Sequence, residues 1–192
     1  ITLGLLHLSG NRYDLQVHSL NRKSHMALLH STMVPLGTSV IDFKLPGIDG
    51  VEYSLDNFLE SKVLVIIFMC NHCPYVKAVI QRLIDLQEET LSQGVQLIGV
   101  NCNDAQKYPD DSFENMQKVA TEWGMNFPYL FDESQTVANK YDAVCTPDIY
   151  VYGKERKLLY RGRIDNNWEN AEQVTQRDLK QAIDCILAGQ EV

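Results

Sequence analysis

Apolar positions along this chain fall into runs of two kinds. Val63-Leu64-Val65-Ile66-Ile67-Phe68-Met69 is continuous, β-branched and aromatic. A run with no polar alternation predicts a strand buried on both faces, as in a sheet covered by helices. Val95 to Val100 repeats the pattern. Between them Val76, Val79, Ile80, Leu83, Ile84 and Leu86 recur at helical spacing, and Gly94 closes that element. Upstream, Val40, Ile41 and Phe43 predict a short strand, Pro46 to Gly50 a turn, and Val51 to Tyr53 the returning strand of a hairpin. Ser54 then caps a short helix through Leu59. Downstream, Asp111-Ser-Phe-Glu114 reads as a capping-box-like helix start, with the helix running to Trp123 and stopped by Gly124. Tyr129 to Phe131 predicts a strand and Ser134 to Tyr141 a short helix. Ile149 to Tyr152 and Leu158 to Arg163 flank Gly153-Lys154-Glu155-Arg156 as a second hairpin. Asn170 is placed to cap a last helix, with Val174, Leu179, Ile183, Ile186 and Leu187 on one face and Gly189 at its end.

That order predicts an α/β fold, a mixed central sheet flanked by helices with an N-terminal β-hairpin extension. The 192 residues suffice for one domain with a full core. The net charge of −8 argues against a nucleic-acid-binding body, which needs clustered bases to displace counterions. No stretch approaches the roughly 18 apolar residues of a membrane span. Residues 1–33 differ in character from the rest. They hold Arg12, Arg22 and Lys23 against Asp14, and four of the five histidines, His7, His18, His25 and His30. The segment reads as a leader, as residues added by cloning or upstream translation, or as an N-terminal arm. The domain is therefore expected over 34–192. It is expected to be cytoplasmic, or organellar if residues 1–33 are a transit peptide.

The five cysteines are Cys70, Cys73, Cys102, Cys145 and Cys185, too few and too unevenly spaced for a disulfide scaffold. Cys70 and Cys73 lie at a predicted strand-to-helix junction, where three residues bring both sulfurs to one face and let them close a small disulfide. Cys70 is expected at the helix N-terminus, where unpaired N–H groups and the dipole stabilise a thiolate. Pro74 belongs in the first helical turn. His72, with Asn71 beside it, would add positive charge near Cys70 and make the disulfide more oxidising. Thr146-Pro147 opens a strand late in the chain, as a proline at a strand start allows.

Other residues carry two readings each. Cys145 is a third thiol or a small buried residue, the latter favoured. Cys102 and Cys185 read as structural. Asn103 and Asp104 either orient substrate or simply form the turn after a strand. Arg161, Arg163 and Asp165 read as a surface ion pair, and Trp123, Phe127 and Tyr129 as core. Cys70, Cys73, His72 and Cys145 could make a soft site for zinc or copper. One Cys-x-x-Cys is only half the usual zinc signature, so neither metal nor cofactor is assigned.

Cys70-Asn-His-Cys-Pro74 after a buried strand, followed by Thr146-Pro147, resembles the thioredoxin superfamily. Several segments in order resemble its redoxin (AhpC/TSA-type) branch, in the peroxiredoxin-like group with a thioredoxin-style cysteine pair. They are Leu36-Gly37, Phe43-Lys-Leu-Pro46, Asn103-Asp104-Ala105, Tyr108-Pro-Asp-Asp-Ser112, Phe127-Pro-Tyr-Leu130, Val144-Cys-Thr-Pro-Asp148 and Tyr160-Arg-Gly-Arg-Ile-Asp165. The resemblance implies a thioredoxin fold, a cis Thr146–Pro147 bond packed against the cysteine pair, and a thiol–disulfide oxidoreductase acting on protein or small-molecule thiols and disulfides. In that role Cys70 is the nucleophile, Cys73 resolves, and Thr146 and Pro147 shape the substrate groove. A thiol-dependent peroxidase and a metal-binding or redox-sensing module are the alternatives. Two departures stand out. The peroxiredoxin pattern Pro-x-x-x-Thr-x-x-Cys would put its Thr on Cys70 and its Pro on Ile66, which argues against that peroxidase site. Thioredoxin's buried Asp falls on Leu64, so proton transfer at the cysteines needs water or another group.

Overall fold

The computed structural model describes residues 34–192, so the readings of residues 1–33 lie outside the described residues. The run of buried β-branched residues forms β3 (Val63–Phe68), the middle of a five-stranded sheet. Around it the order is β5 (Tyr129–Phe131), β4 (Val95–Asn101), β3, β6 (Asp148–Tyr152), β7 (Leu158–Arg161). β4 runs parallel to β3, with Val65 opposite Leu97, and β5 runs parallel to β4. β6 is antiparallel to β3, with Ile66 opposite Tyr150, and β7 is antiparallel to β6. All six β3 side chains are buried because both faces are covered.

Val63, Val65 and Ile67 face a core built with α1 (Pro74–Thr90), α2 (Phe113–Trp123) and α4 (Asp178–Leu187). Leu64, Ile66 and Phe68 face the other core, with α3 (Thr136–Tyr141), Phe58 and the N-terminal hairpin. Leu64, at the place of thioredoxin's buried acid, is thus an ordinary packing residue of the second core.

The hairpin pairs β1 (Lys44–Pro46) with β2 (Glu52–Ser54), not residues 40–43 as the apolar pattern predicts. Val40 and Ile41 are taken by other partners. The N–H of Val40 bonds the Arg156 carbonyl, and Ile41 exchanges hydrogen bonds with the Tyr141 hydroxyl. The short helix after Ser54 is a single 3₁₀ turn, Leu55–Phe58.

The N-terminal segment also closes both sheet edges. Gly47 bridges to Leu130, and Ile48 donates to the Tyr129 carbonyl on the β5 edge. Gly37 donates to the Leu158 carbonyl, while Leu158 donates to Thr38 on the β7 edge.

Two helix starts differ from expectation. Asn170 caps only a 3₁₀ turn, Ala171–Gln173. Asn166 Oδ1 then accepts the N–H groups of Thr175 and Gln176, which diverts the backbone before α4 begins at Asp178. Asp111 does not open α2. It ends a 3₁₀ turn, Pro109–Asp111, and Ser112 is the cap, its hydroxyl accepting from the Asn115 N–H.

Candidate active site

β3 delivers Met69 and Cys70 to its carboxyl end, and α1 begins at Pro74. The capping position expected for Cys70 therefore belongs to Cys73. Proline disfavours helical backbone in the residue before it, and Cys73 is extended, with φ −62° and ψ 121°. Pro74 sits at the start of the helix, where its missing N–H costs nothing.

Both sulfurs are buried beneath the loop entering β6, where the Thr146–Pro147 peptide bond is cis. Cys70 Sγ lies 3.5 Å from Thr146 Oγ1, and Cys73 Sγ lies 3.2 Å from the Thr146 carbonyl oxygen. Cys73 is pushed down to about 5, first by the hydrogen bond from Cys70 and against the effect of burial. Thr146 and the N–H groups of Val76 and Tyr75 pull the same way. Cys70 is pushed up, first by that shared bond and then by burial, with the Asp111 carboxylate adding. The bond between the sulfurs thus favours charge on Cys73 over charge on Cys70.

The loop between the cysteines is clamped from the side by Asp111, which is fully buried. Its Oδ1 accepts from the Asn71 N–H at 2.6 Å. Its Oδ2 meets His72 Nδ1 at 2.5 Å and accepts from Asn103 Nδ2 at 2.8 Å. Asn71 is fixed further by donating to the Asp110 carbonyl and accepting from the Tyr129 hydroxyl. Tyr129 is core, as expected, yet its hydroxyl serves the site. The His72 ring stacks on Tyr108, centroids 4.9 Å apart and planes 16° apart.

The sequence pattern places Asp111 at a helix start and carries no sign of its link to His72. The signal available was three acids, Asp104, Asp110 and Asp111, just after the β4 edge where open α/β sheets place their sites. Asn103 and Asp104 divide the two roles considered for them. Asn103 turns into the network, whereas Asp104 makes the turn by accepting the N–H groups of Gln106 and Lys107.

Cys70, His72 and Asp111 bring one sulfur, one ring nitrogen and one carboxylate oxygen within 4.8 Å of one another. Asp111 thus stands where the sequence suggests Cys73 and Cys145 beside Cys70 and His72. Both Asp111 oxygens are occupied by hydrogen-bond donors, so the cluster is a closed hydrogen-bond network.

Beyond Thr146 and Pro147 lies a cleft of about 660 Å³, walled by Tyr75, Val79, Ile149, Ile164 and Trp168. Cys102, Asn103 and Cys145 also reach it. Cys102 is pushed up to about 11, chiefly by burial and then by Asp132, which suits an inert thiol. Cys185 stands on α4, half-buried, away from this cleft. The expected ion pair among Arg161, Arg163 and Asp165 is replaced by three separate ones. Arg161 pairs with Asp148 and lies over the Tyr150 ring, Asp165 pairs with Arg82, and Arg163 with Asp178. Only the last involves an exposed arginine, because β7 carries Arg161 inward beside β6.

A five-stranded mixed sheet with two cysteines at the β3–α1 junction defines a thioredoxin-like thiol protein. The AhpC/TSA family model matches residues 36–161, and the chain belongs to the AhpC/TSA family. It is similar in structure to an uncharacterized conserved protein from Geobacillus kaustophilus, 43% identical, TM-score 0.81, covering 85% of this chain and 88% of that one. A hypothetical protein from Sinorhizobium meliloti 1021 is 37% identical, TM-score 0.81, covering 84% and 89%. The thiol-disulfide oxidoreductase ResA of Geobacillus thermodenitrificans (strain NG80-2) is 23% identical over 158 residues, 81% of this chain and 80% of that protein.

Proposed function

We propose that this chain is a thiol–disulfide oxidoreductase that cycles Cys70 and Cys73 between dithiol and disulfide. The carrying observation is that one residue, Thr146, meets both sulfurs, at 3.5 Å and 3.2 Å. Its hydroxyl can donate to a Cys70 thiolate, and its carbonyl, an acceptor only, takes the proton of a Cys73 thiol. The proton shared by the pair therefore has a place on either sulfur, and Cys70 attacks once its own proton has been passed on. The activity named for the ResA relative supports the same reading.

Cys70 S⁻ attacks one sulfur of a substrate disulfide. That S–S bond breaks, a Cys70–substrate disulfide forms, and the first substrate sulfur leaves. Cys73, as its thiolate, then attacks Cys70 Sγ, closing the Cys70–Cys73 disulfide and releasing the second substrate sulfur. Two electrons pass to the substrate. The leaving sulfurs are protonated, one by the proton that left Cys70 and one from solvent. The cleft beside Thr146 and Pro147, apolar on most of its wall, receives the substrate body.

The test is reduction of a small aromatic disulfide by the protein, recycled with a dithiol. Cys70→Ser is expected to abolish turnover. Cys73→Ser is expected to stop after one event and retain the substrate half as a covalent mass increase. Undiminished turnover by Cys70→Ser would overturn the reading.

A further inference from the structure

We propose that His72 and Asp111 form a proton-handling dyad for Cys70, with His72 exchanging the proton and Asp111 acting as a positioning residue through it. The inference rests on the oxidoreductase reading and deepens it. It also answers the loss of the acid at Leu64: a buried carboxylate reaches the cysteine loop from a different element, the 3₁₀ turn before α2.

An ionised carboxylate only accepts hydrogen bonds. Asp111 already takes the Asn71 backbone N–H, whose polarity is fixed, so the 2.5 Å contact requires His72 to present Nδ1–H. Nε2 is then the ring nitrogen with a free lone pair, and no described residue bonds it. The His72 side chain is 28% exposed, whereas Asp111 is 0% exposed. The carboxylate is sealed inside and the ring links it to solvent. Stacking on Tyr108 fixes the ring plane.

Cys70 Sγ, one of the two His72 ring nitrogens and an Asp111 oxygen lie within 4.8 Å of one another, which puts the ring within a water's reach of Cys70. Among the described residues, the titratable and charged groups around the ring are few. Cys70 and Cys73 come from its own loop, and Asp111, Asp110, Tyr108 and Lys107 from the loop before α2, with Lys107 over the Tyr108 ring. Tyr129 comes from β5, acting through Asn71.

The step balances. The Cys70 thiol gives its proton to His72, leaving Cys70 S⁻ beside an imidazolium held by Asp111. Cys70 S⁻ attacks the substrate disulfide, one S–S bond breaks and one forms, and the departing thiolate takes the proton from His72. The substrate disulfide is the only oxidant. Without the imidazolium, the Asp111 charge opposes a Cys70 thiolate.

Two readouts test this, and neither needs substrate turnover. The first is the rate of Cys70 alkylation in reduced protein at pH 7, followed by mass spectrometry. His72→Gln, a change at a part-exposed position, is expected to slow it about tenfold, since only the thiolate reacts. The second is the ¹⁵N spectrum of the His72 imidazole. It is expected to show Nδ1–H in the wild type and to move to Nε2–H in Asp111→Asn, whose amide would donate to Nδ1. Wild-type alkylation in His72→Gln, or an unchanged tautomer in folded Asp111→Asn, overturns the dyad. If the oxidoreductase reading fails instead, the Cys70–Cys73 disulfide does not form, while both readouts still report on the dyad.

Discussion

At the scale of single residues, the groups that matter most pair across distant elements. Arg161 and Asp148 show this best. Their side chains are 6% and 1% exposed, and the guanidinium also covers the Tyr150 ring. Truncation by Arg161→Ala takes the cation away from a buried carboxylate beside the loop that carries Thr146. Breaking a buried pair from one side typically costs about 3–5 kcal/mol, so urea unfolding is expected to show a loss of that order. A loss under about 1 kcal/mol would put this pair with ordinary surface bridges. The cysteine pair was legible in the sequence because its spacing is local, and the turn role of Asp104 was legible for the same reason. Asp111 was not. Among three nearby acids, only the course of one 3₁₀ turn decides which carboxylate points inward. The three arginine pairings were hidden likewise, since each joins residues brought together by strand or helix packing.

At the scale of elements, long uninterrupted apolar runs were the most legible feature, and β3, β4 and α1 form where their patterns place them. Boundaries depended on backbone competition instead. Asn166 intercepts the start of α4, and Tyr141 and Arg156 draw Val40 and Ile41 out of the hairpin. One glycine ties sheet packing to the site. A Cβ at Gly99 on β4 would lie 2.8 Å from Met69 Sδ and 3.0 Å from the Tyr129 ring. Met69 precedes Cys70, and the Tyr129 hydroxyl holds Asn71. Gly99→Ala is therefore expected to cost about 1–3 kcal/mol, as overpacking in a filled core does. It should also disturb the Asn71 amide resonance in an NMR spectrum. A variant with wild-type stability and an unmoved Asn71 signal would show that the neighbours yield freely.

At the scale of the whole molecule, the mixed sheet was foreseeable from element order, but the closure of its edges was not. That closure uses backbone groups of Gly37, Thr38 and Ile48, residues with no periodic pattern to read. An open sheet edge is a template for pairing with another chain. Removing residues through Asp42 strips the cover from β7. Light scattering is expected to show a larger particle for the shortened protein than for the full chain at equal concentration. Equal sizes would mean that β7 protects itself.

The same arrangement bears on how the chain is made. The residues that seal the β7 edge are translated long before the strand they seal. The contact from Lys157 to Ser39 spans 118 positions. A growing chain can assemble β3, α1 and β4 from near neighbours, yet the bonds from residues 37–40 to the β7 edge cannot form until β7 has emerged. Contacts of such long range close late, because loop entropy is lost before they form. The nascent protein therefore passes through a stage with its central sheet begun and its protective first segment idle, the stage at which a chaperone or a premature stop would matter most.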